Sequence, residues 1–154
     1  MLLPTHALMG MVIGKYFSSP WIIIPASLVL HYLIDSFRHG EYWEKDNTAK
    51  NIWWKMDFLS AILVVILVLW LKDFSSETIG NMLLGILFSL FPDLLSALQY
   101  LFPKIKILNW QKNFHSWMHN YKHLPHNAPE RQWTFRNAIN DIAISIIAII
   151  VLFI

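Results

Sequence analysis

Two runs of residues limit what this chain can become. AILVVILVLWL at 61–71 and IAISIIAIIVLFI at 142–154 carry no charged side chain, and segments so apolar on every face need either a large protein core or lipid around them. The chain has 154 residues, of which 56% are hydrophobic and only 14% charged. That is too little polar surface to cover a core of the required size, so the expectation is an all-α integral membrane protein. Hydrophobic stretches at 2–17, 19–38, 54–72, 78–102 and 133–154 approach or reach the roughly 20 residues that cross about 30 Å of hydrocarbon. The reading is a single domain, 1–154, built as a bundle of about five transmembrane helices plus an interfacial amphipathic helix. The first stretch is short and interrupted by Pro4 and His6, so it reads as tilted or partly interfacial. The Trp-, Lys- and His-rich region 104–132 supplies the helix at the headgroup layer, followed by a Pro-broken loop. MLLPTHALMGMVIG at the N-terminus lacks a basic leader and a small-residue cleavage site, so it reads as retained. No internal repeat is visible.

Alternating the five spans puts the N-terminus, the 39–53 loop and the 103–132 region on one side of a membrane. Of the 12 Lys and Arg residues, only Lys15 and Lys72 fall on the other. The positive-inside rule makes the first side cytoplasmic. The same threading gathers all 7 histidines, with Asp35, Asp57, Asp93 and Asp141, at or below that surface. The basic residues follow the topology, so they give no case for nucleic-acid binding.

The oily second span ends in LVLHYLIDSFRHGEYW, which sets His31, Asp35 and His39 four residues apart on one helical face. Ionisable groups inside an apolar helix cost kilocalories each. An HxxxD pair lets an imidazole nitrogen and a carboxylate oxygen converge on one divalent ion. The alternative is a His–Asp hydrogen bond that satisfies two buried polar groups.

Further along, FHSWMHNYKHLPH sets His115, His119 and His123 four apart, with His126 just beyond. HxxxH is the spacing by which one helix gives two imidazoles to zinc, but Ser116 stands where a zinc protease carries its Glu. Ligation is the expectation for His115 and His119, and a wet interfacial position for His123 and His126. Phe91-Pro92-Asp93 places a carboxylate in an apolar run after a proline able to kink the span inward; at that depth it must be neutral, paired or metal-bound. His6 joins if the first two spans form a hairpin. Asp57 and Asp141, near the starts of spans three and five, complement helix N-termini or orient a ligating His. The chain has no cysteine, so any metal must be held by His, carboxylates or water.

His6, the stretch Leu30-His31-Tyr32-Leu33-Ile34-Asp35, Phe91-Pro92-Asp93 and His115-Ser116-Trp117-Met118-His119 together resemble the signature elements of the bacterial membrane-bound, metal-dependent hydrolases. That group includes LexA-regulated inner-membrane proteins. The resemblance implies a multi-helix membrane protein with a metal centre and hydrolase activity. This chain departs from the pattern in order and detail: the HxxxD element comes second, and Pro92-Asp93 lacks the following Asp and His. A wider similarity, in HxxxD and clustered histidines only, is to zinc-dependent phospholipase C.

If His6, His31, Asp35, Asp93, His115 and His119 converge, they exceed the needs of one tetrahedral zinc and suit two ions. The expected cofactor is one or two divalent ions, zinc first, with manganese or iron as alternatives. The expected reaction is hydrolysis of a phosphoester, a lipid headgroup or lipid phosphate, at the cytoplasmic interface, with His39 or His123 as general acid or base. Lys104, Lys106, Lys112 and Arg131 would attract the anion. Two rival readings are a metal-ion or proton transporter and a non-catalytic membrane scaffold with a structural metal.

Overall fold

A computed structural model describes residues 1–40, 52–119, 128–130 and 134–154, apart from the side chains of 52–54. Among the described residues the fold is all-α. Six helices follow in order: α1 (Leu3–Tyr16), α2 (Pro20–Asp35), α3 (Ile52–Leu71), α4 (Ser76–Leu101), α5 (Lys106–Met118) and α6 (Phe135–Phe153). Local chemistry sets several of their ends. Prolines occupy the first turns of α1 and α2, where a missing N–H costs nothing and φ is already helical. Ser75 caps α4 by accepting from the Thr78 N–H at 3.1 Å, with Glu77 in the first turn. Pro92 lies inside α4, which continues through it.

Pro4 therefore starts a helix instead of interrupting one, and α1 lies inside the bundle. It packs against α2, α3, α4 and α6 and buries Thr5, His6, Ala7, Leu8, Gly10, Met11 and Gly14. Its closest neighbour is α4, and glycines make that approach possible. A Cβ on Gly10 would stand 2.6 Å from the Gly85 carbonyl oxygen, and one on Gly14 would strike the backbone of Asn81. The two helices touch backbone to backbone at successive turns, 14 beside 81 and 10 beside 85. One further turn brings His6 beside Ser89, whose Oγ donates to the His6 carbonyl at 2.8 Å. The glycine crossing thus fixes where the first histidine stands.

The interior is divided. At one end Leu8, Met11, Val68, Met82, Ala148 and Leu152 form a closed apolar cluster. At the other end polar residues are buried, among them His6, His31, Asp35, Ser89, Asn137 and Asp141. The outside reverses this pattern. Leu59, Leu63, Ile66 and Trp70 form an exposed stripe along α3, and Ile139, Ile146 and Ile150 one along α6. Both α4 and α6 are long and apolar enough to cross a membrane, and only 22% and 28% of their most apolar windows are buried in the protein. Most of each window is therefore left uncovered by the rest of the described protein.

Candidate metal centre

Five segments meet at the polar end, and Asp35 lies at their centre. It closes α2 and is fully buried. His31, one turn earlier on α2, places Nε2 3.1 Å from Asp35 Oδ2. From α5, His115 Nε2 reaches the same oxygen at 3.0 Å, and His119 Nε2, at the end of that helix, at 3.3 Å. From α1, His6 Nε2 faces the other oxygen, Oδ1, at 3.0 Å, where the Met1 ammonium also pairs. From α4, Asp93 stands slightly back, its oxygens 3.6 Å from His115 Nε2 and 4.0 Å from His6 Nε2.

The helical ladder 31–35–39 is only partly realised. The α2 helix stops at Asp35, so His39 returns to the site through the turn that follows, not as a third rung. It is buried, and its Nε2 lies 3.0 Å from His119 Nδ1. His123 and His126 lie outside the described residues. Asp57 and Asp141 serve a helix N-terminus, but that of α1 and not of their own helices. Asp57 accepts from the Leu3 N–H at 3.2 Å, and Asp141 from the Leu2 N–H at 2.9 Å and the Thr5 hydroxyl at 3.1 Å. These are N–H groups that α1 cannot satisfy internally, and holding them seats His6.

The outer nitrogens of the imidazoles assign their protons. His31 Nδ1 donates to the Ser89 carbonyl at 2.6 Å. His115 Nδ1 donates to Ser96 Oγ at 2.8 Å, a hydroxyl whose own proton goes to the Pro92 carbonyl at 3.0 Å. His39 Nδ1 donates to the Phe37 carbonyl at 2.7 Å, which leaves its Nε2 to accept from His119 Nδ1. A neutral imidazole has one N–H, so with that proton on Nδ1 the Nε2 of His31, His115 and His119 would each present a lone pair. Those lone pairs converge. His31 Nε2 and His115 Nε2 are 3.2 Å apart, and His115 Nε2 and His119 Nε2 3.0 Å. All three also face a carboxylate oxygen. Acceptors gathered in this way repel unless a proton or a cation lies among them. Zinc bonds of 2.0–2.2 Å place neighbouring ligand atoms roughly 3 Å apart, which is the spacing found here.

Among the described residues two groups have the spacing to hold an ion: His31, Asp35, Asp93 and His115, and Asp35, His39 and His119, sharing Asp35. Asp93 Oδ2 is buried and has no hydrogen-bond partner among the described residues, as expected of an acceptor reserved for a cation. Burial holds the His39 imidazole down to about 3, with the Met1 ammonium adding to the effect. Burial likewise keeps His119 well below its usual range. Both stay neutral, the form that binds metal. For the Met1 ammonium, burial works against the charge, and the Asp35 carboxylate outweighs it to raise the value.

Sequence patterns did not single out Ser89, Ser96, Tyr32 or Gln111. Ser89 and Ser96 share a face with Asp93 at i−4 and i+3, a signal that was available. Tyr32 packs its ring edge-on to His31 at 5.1 Å and to His115 at 5.8 Å. Gln111 ties α5 to α4 through the Pro92 carbonyl at 2.9 Å. No model of a known protein family, no curated protein and no solved structure matches this chain.

Proposed function

We propose that this protein is a membrane-embedded, metal-dependent hydrolase that cleaves a phosphoester, a lipid headgroup or lipid phosphate, at the cytoplasmic interface. The observation that carries the reading is the convergence of the Nε2 atoms of His31, His115 and His119 on one oxygen of the Asp35 carboxylate, at 3.1, 3.0 and 3.3 Å. His31, Asp35, Asp93 and His115 would hold one ion, with His6 on the far oxygen of Asp35. His119 would join a second position through the shared carboxylate, with His39 Nε2 accepting from its Nδ1. The nitrogen and oxygen donor set suits zinc, and manganese or iron also accept it. A divalent ion held there supplies Lewis acidity toward a phosphoryl oxygen and lowers the pKa of water.

The chain's own residues supply orientation. Ser89 and the Ser96–Pro92 pair lock two imidazoles with Nε2 inward, the outer-shell role that sets ligand basicity. The His39 Nε2 and His119 Nδ1 pair is a route by which a proton moves between the centre and the chain segment after α2. Asp93, 28% exposed at its side chain, is the carboxylate nearest the outside and can hold a water against the centre.

The inside-out polarity supports the membrane assignment: apolar stripes face outward and the ionisable groups face the bundle interior. The bias of Lys and Arg toward the histidine end supports a cytoplasmic site. A transporter would need polar groups continuing across the midplane, whereas the interior beyond the site is the cluster around Leu8, Met11 and Met82.

Elemental analysis of detergent-purified protein, beside a His31→Ala, Asp35→Ala double variant, tests the centre. Near-stoichiometric metal that the variant lacks is expected, together with metal-dependent cleavage of bis(4-nitrophenyl) phosphate. A folded wild-type protein free of metal would overturn the hydrolase reading. A metal-loaded protein inert toward phosphoesters, vesicle phospholipids included, would leave the structural scaffold.

A further inference from the structure

Of all the helices, α5 has the least apolar anchorage. Its inward face consists of Leu108, Gln111 and His115, and polar bonds hold it against α4. Gln99 Nε2 donates to Asn109 Oδ1 at 2.8 Å, Lys112 Nζ to Gln99 Oε1 at 2.8 Å, and Gln111 Nε2 to the Pro92 carbonyl at 2.9 Å. The pairing order, 109 beside 99 and 111 beside 92 and 96, shows α5 folding back antiparallel along the last turns of α4. Its outward face is aromatic. Trp110 is 65% exposed, Trp117 59% and Ile107 64%. Trp110 stacks on Phe114 with ring centroids 6.0 Å apart, and Phe114 meets Trp117 at 6.0 Å. In water such a ridge would be an aggregation site.

Exposed Lys104 and Lys106 flank the ridge at the α4–α5 turn, and the apolar surface continues into Tyr100, Leu101, Phe102 and Ile105. Tryptophan beside lysine, continuous with an apolar perimeter, is the chemistry of the headgroup layer.

We propose that the outer face of α5 docks into an anionic lipid leaflet, with Ile107, Trp110, Phe114 and Trp117 among the upper acyl carbons and Lys104 and Lys106 on lipid phosphates. This rests on the membrane reading above and adds a purpose to it. The docked face and the metal-facing His115 are opposite sides of one helix. Tyr32 lies between them, its ring 5.0 Å from Phe114 and 5.8 Å from His115. Docking therefore sets the site at the depth of the headgroups and holds in place the helix that carries His115 and leads into His119.

The chain has no cysteine, so single spin labels can be placed cleanly. Trp110→Cys, Trp117→Cys, Asn113→Cys and Leu63→Cys, each labelled with a nitroxide in the full chain, would be reconstituted in nanodiscs of phosphatidylcholine with phosphatidylglycerol. The labels at 110, 117 and 63 should collide more with oxygen than with a water-soluble nickel chelate, and the label at 113 should show the reverse. Neutral nanodiscs, or Lys104→Gln with Lys106→Gln, should shift 110 and 117 toward the nickel chelate. Aqueous behaviour at 110 and 117 with lipid behaviour at 63 would overturn this docking and leave the membrane reading intact. Aqueous behaviour at 63 as well would overturn both, and insensitivity to lipid charge would overturn the role of the lysines.

Discussion

The two ends of the bundle use their polar groups in opposite ways. Away from the histidines, Lys15 Nζ donates to the carbonyls of Val151 at 2.8 Å and Leu152 at 3.2 Å, and Lys72 Nζ donates to Leu152 at 3.0 Å. These carbonyls belong to the last turn of α6 and have no partner within the helix. An ammonium there also meets the negative end of the helix dipole. Donor meets acceptor, and the charges stabilise the fold. At the histidine end, acceptors are collected in excess of donors around one buried carboxylate. Polar residues in an oily chain are therefore not informative by their presence alone; the unbalanced end is the one that requires something from outside the chain.

The sharpest break of this contrast is Asp35→Asn. The amide keeps the carboxylate's shape, removes its charge and brings two N–H donors to the facing Nε2 lone pairs. Metal content by elemental analysis should fall to background, the largest effect expected of any single change. Thermal stability of the metal-free protein should fall, because the buried Met1 ammonium loses the carboxylate that pairs with it. Lys15→Met should leave metal content untouched. If Asp35→Asn kept its metal, the carboxylate would not be the basis of the site.

How much of this could be read in the sequence depends on which forces place each residue. The helices were legible, since apolar length and prolines at first turns are local signals: 78–102 became Ser76–Leu101, and 133–154 became Phe135–Phe153. His31 with Asp35, and His115 with His119, were legible because a single helix sets each pair. His6 was not legible by itself. Its position depends on the Gly10–Gly85 contact between helices distant in sequence, and the same contact seats the short first segment among four other helices. His39 reaches the cluster, but through the turn after α2 and not as a third rung of that helix. Ser89 and Ser96 were missed because orienting a ligand needs only one oxygen at one place, and a serine in a helix is ordinarily unremarkable.

Ser96→Ala is the next smaller test. It removes the acceptor of the His115 Nδ1 proton and leaves the ligating atoms in place. Loss of such an outer partner typically weakens metal binding about 10–100-fold. Competition with a chromophoric chelator should report a loss of that order. Ser60→Ala, whose hydroxyl donates to the Asp57 carbonyl at 2.7 Å on an exposed surface, should report none. Equal affinities would mean that the tautomer of His115 is fixed by the ion alone.

The smallest effect belongs to the opposite end. Lys15→Met and Lys72→Met each keep an apolar stem and remove an ammonium from the α6 terminus. A cation at a helix C-terminus is worth about 0.3–1 kcal/mol near a surface, so each variant should unfold slightly earlier in a thermal melt. Together the two changes should cost more than the sum of each alone, because both amines share the Leu152 carbonyl, and either one alone still satisfies it. Metal content and chelator competition should match the wild-type protein in both single variants and in the double. A loss of metal on removing these lysines would couple the two ends through α6, whose first turns include Asp141 holding the start of α1. The division of the molecule into a balanced end and an unbalanced one would then give way to a single network.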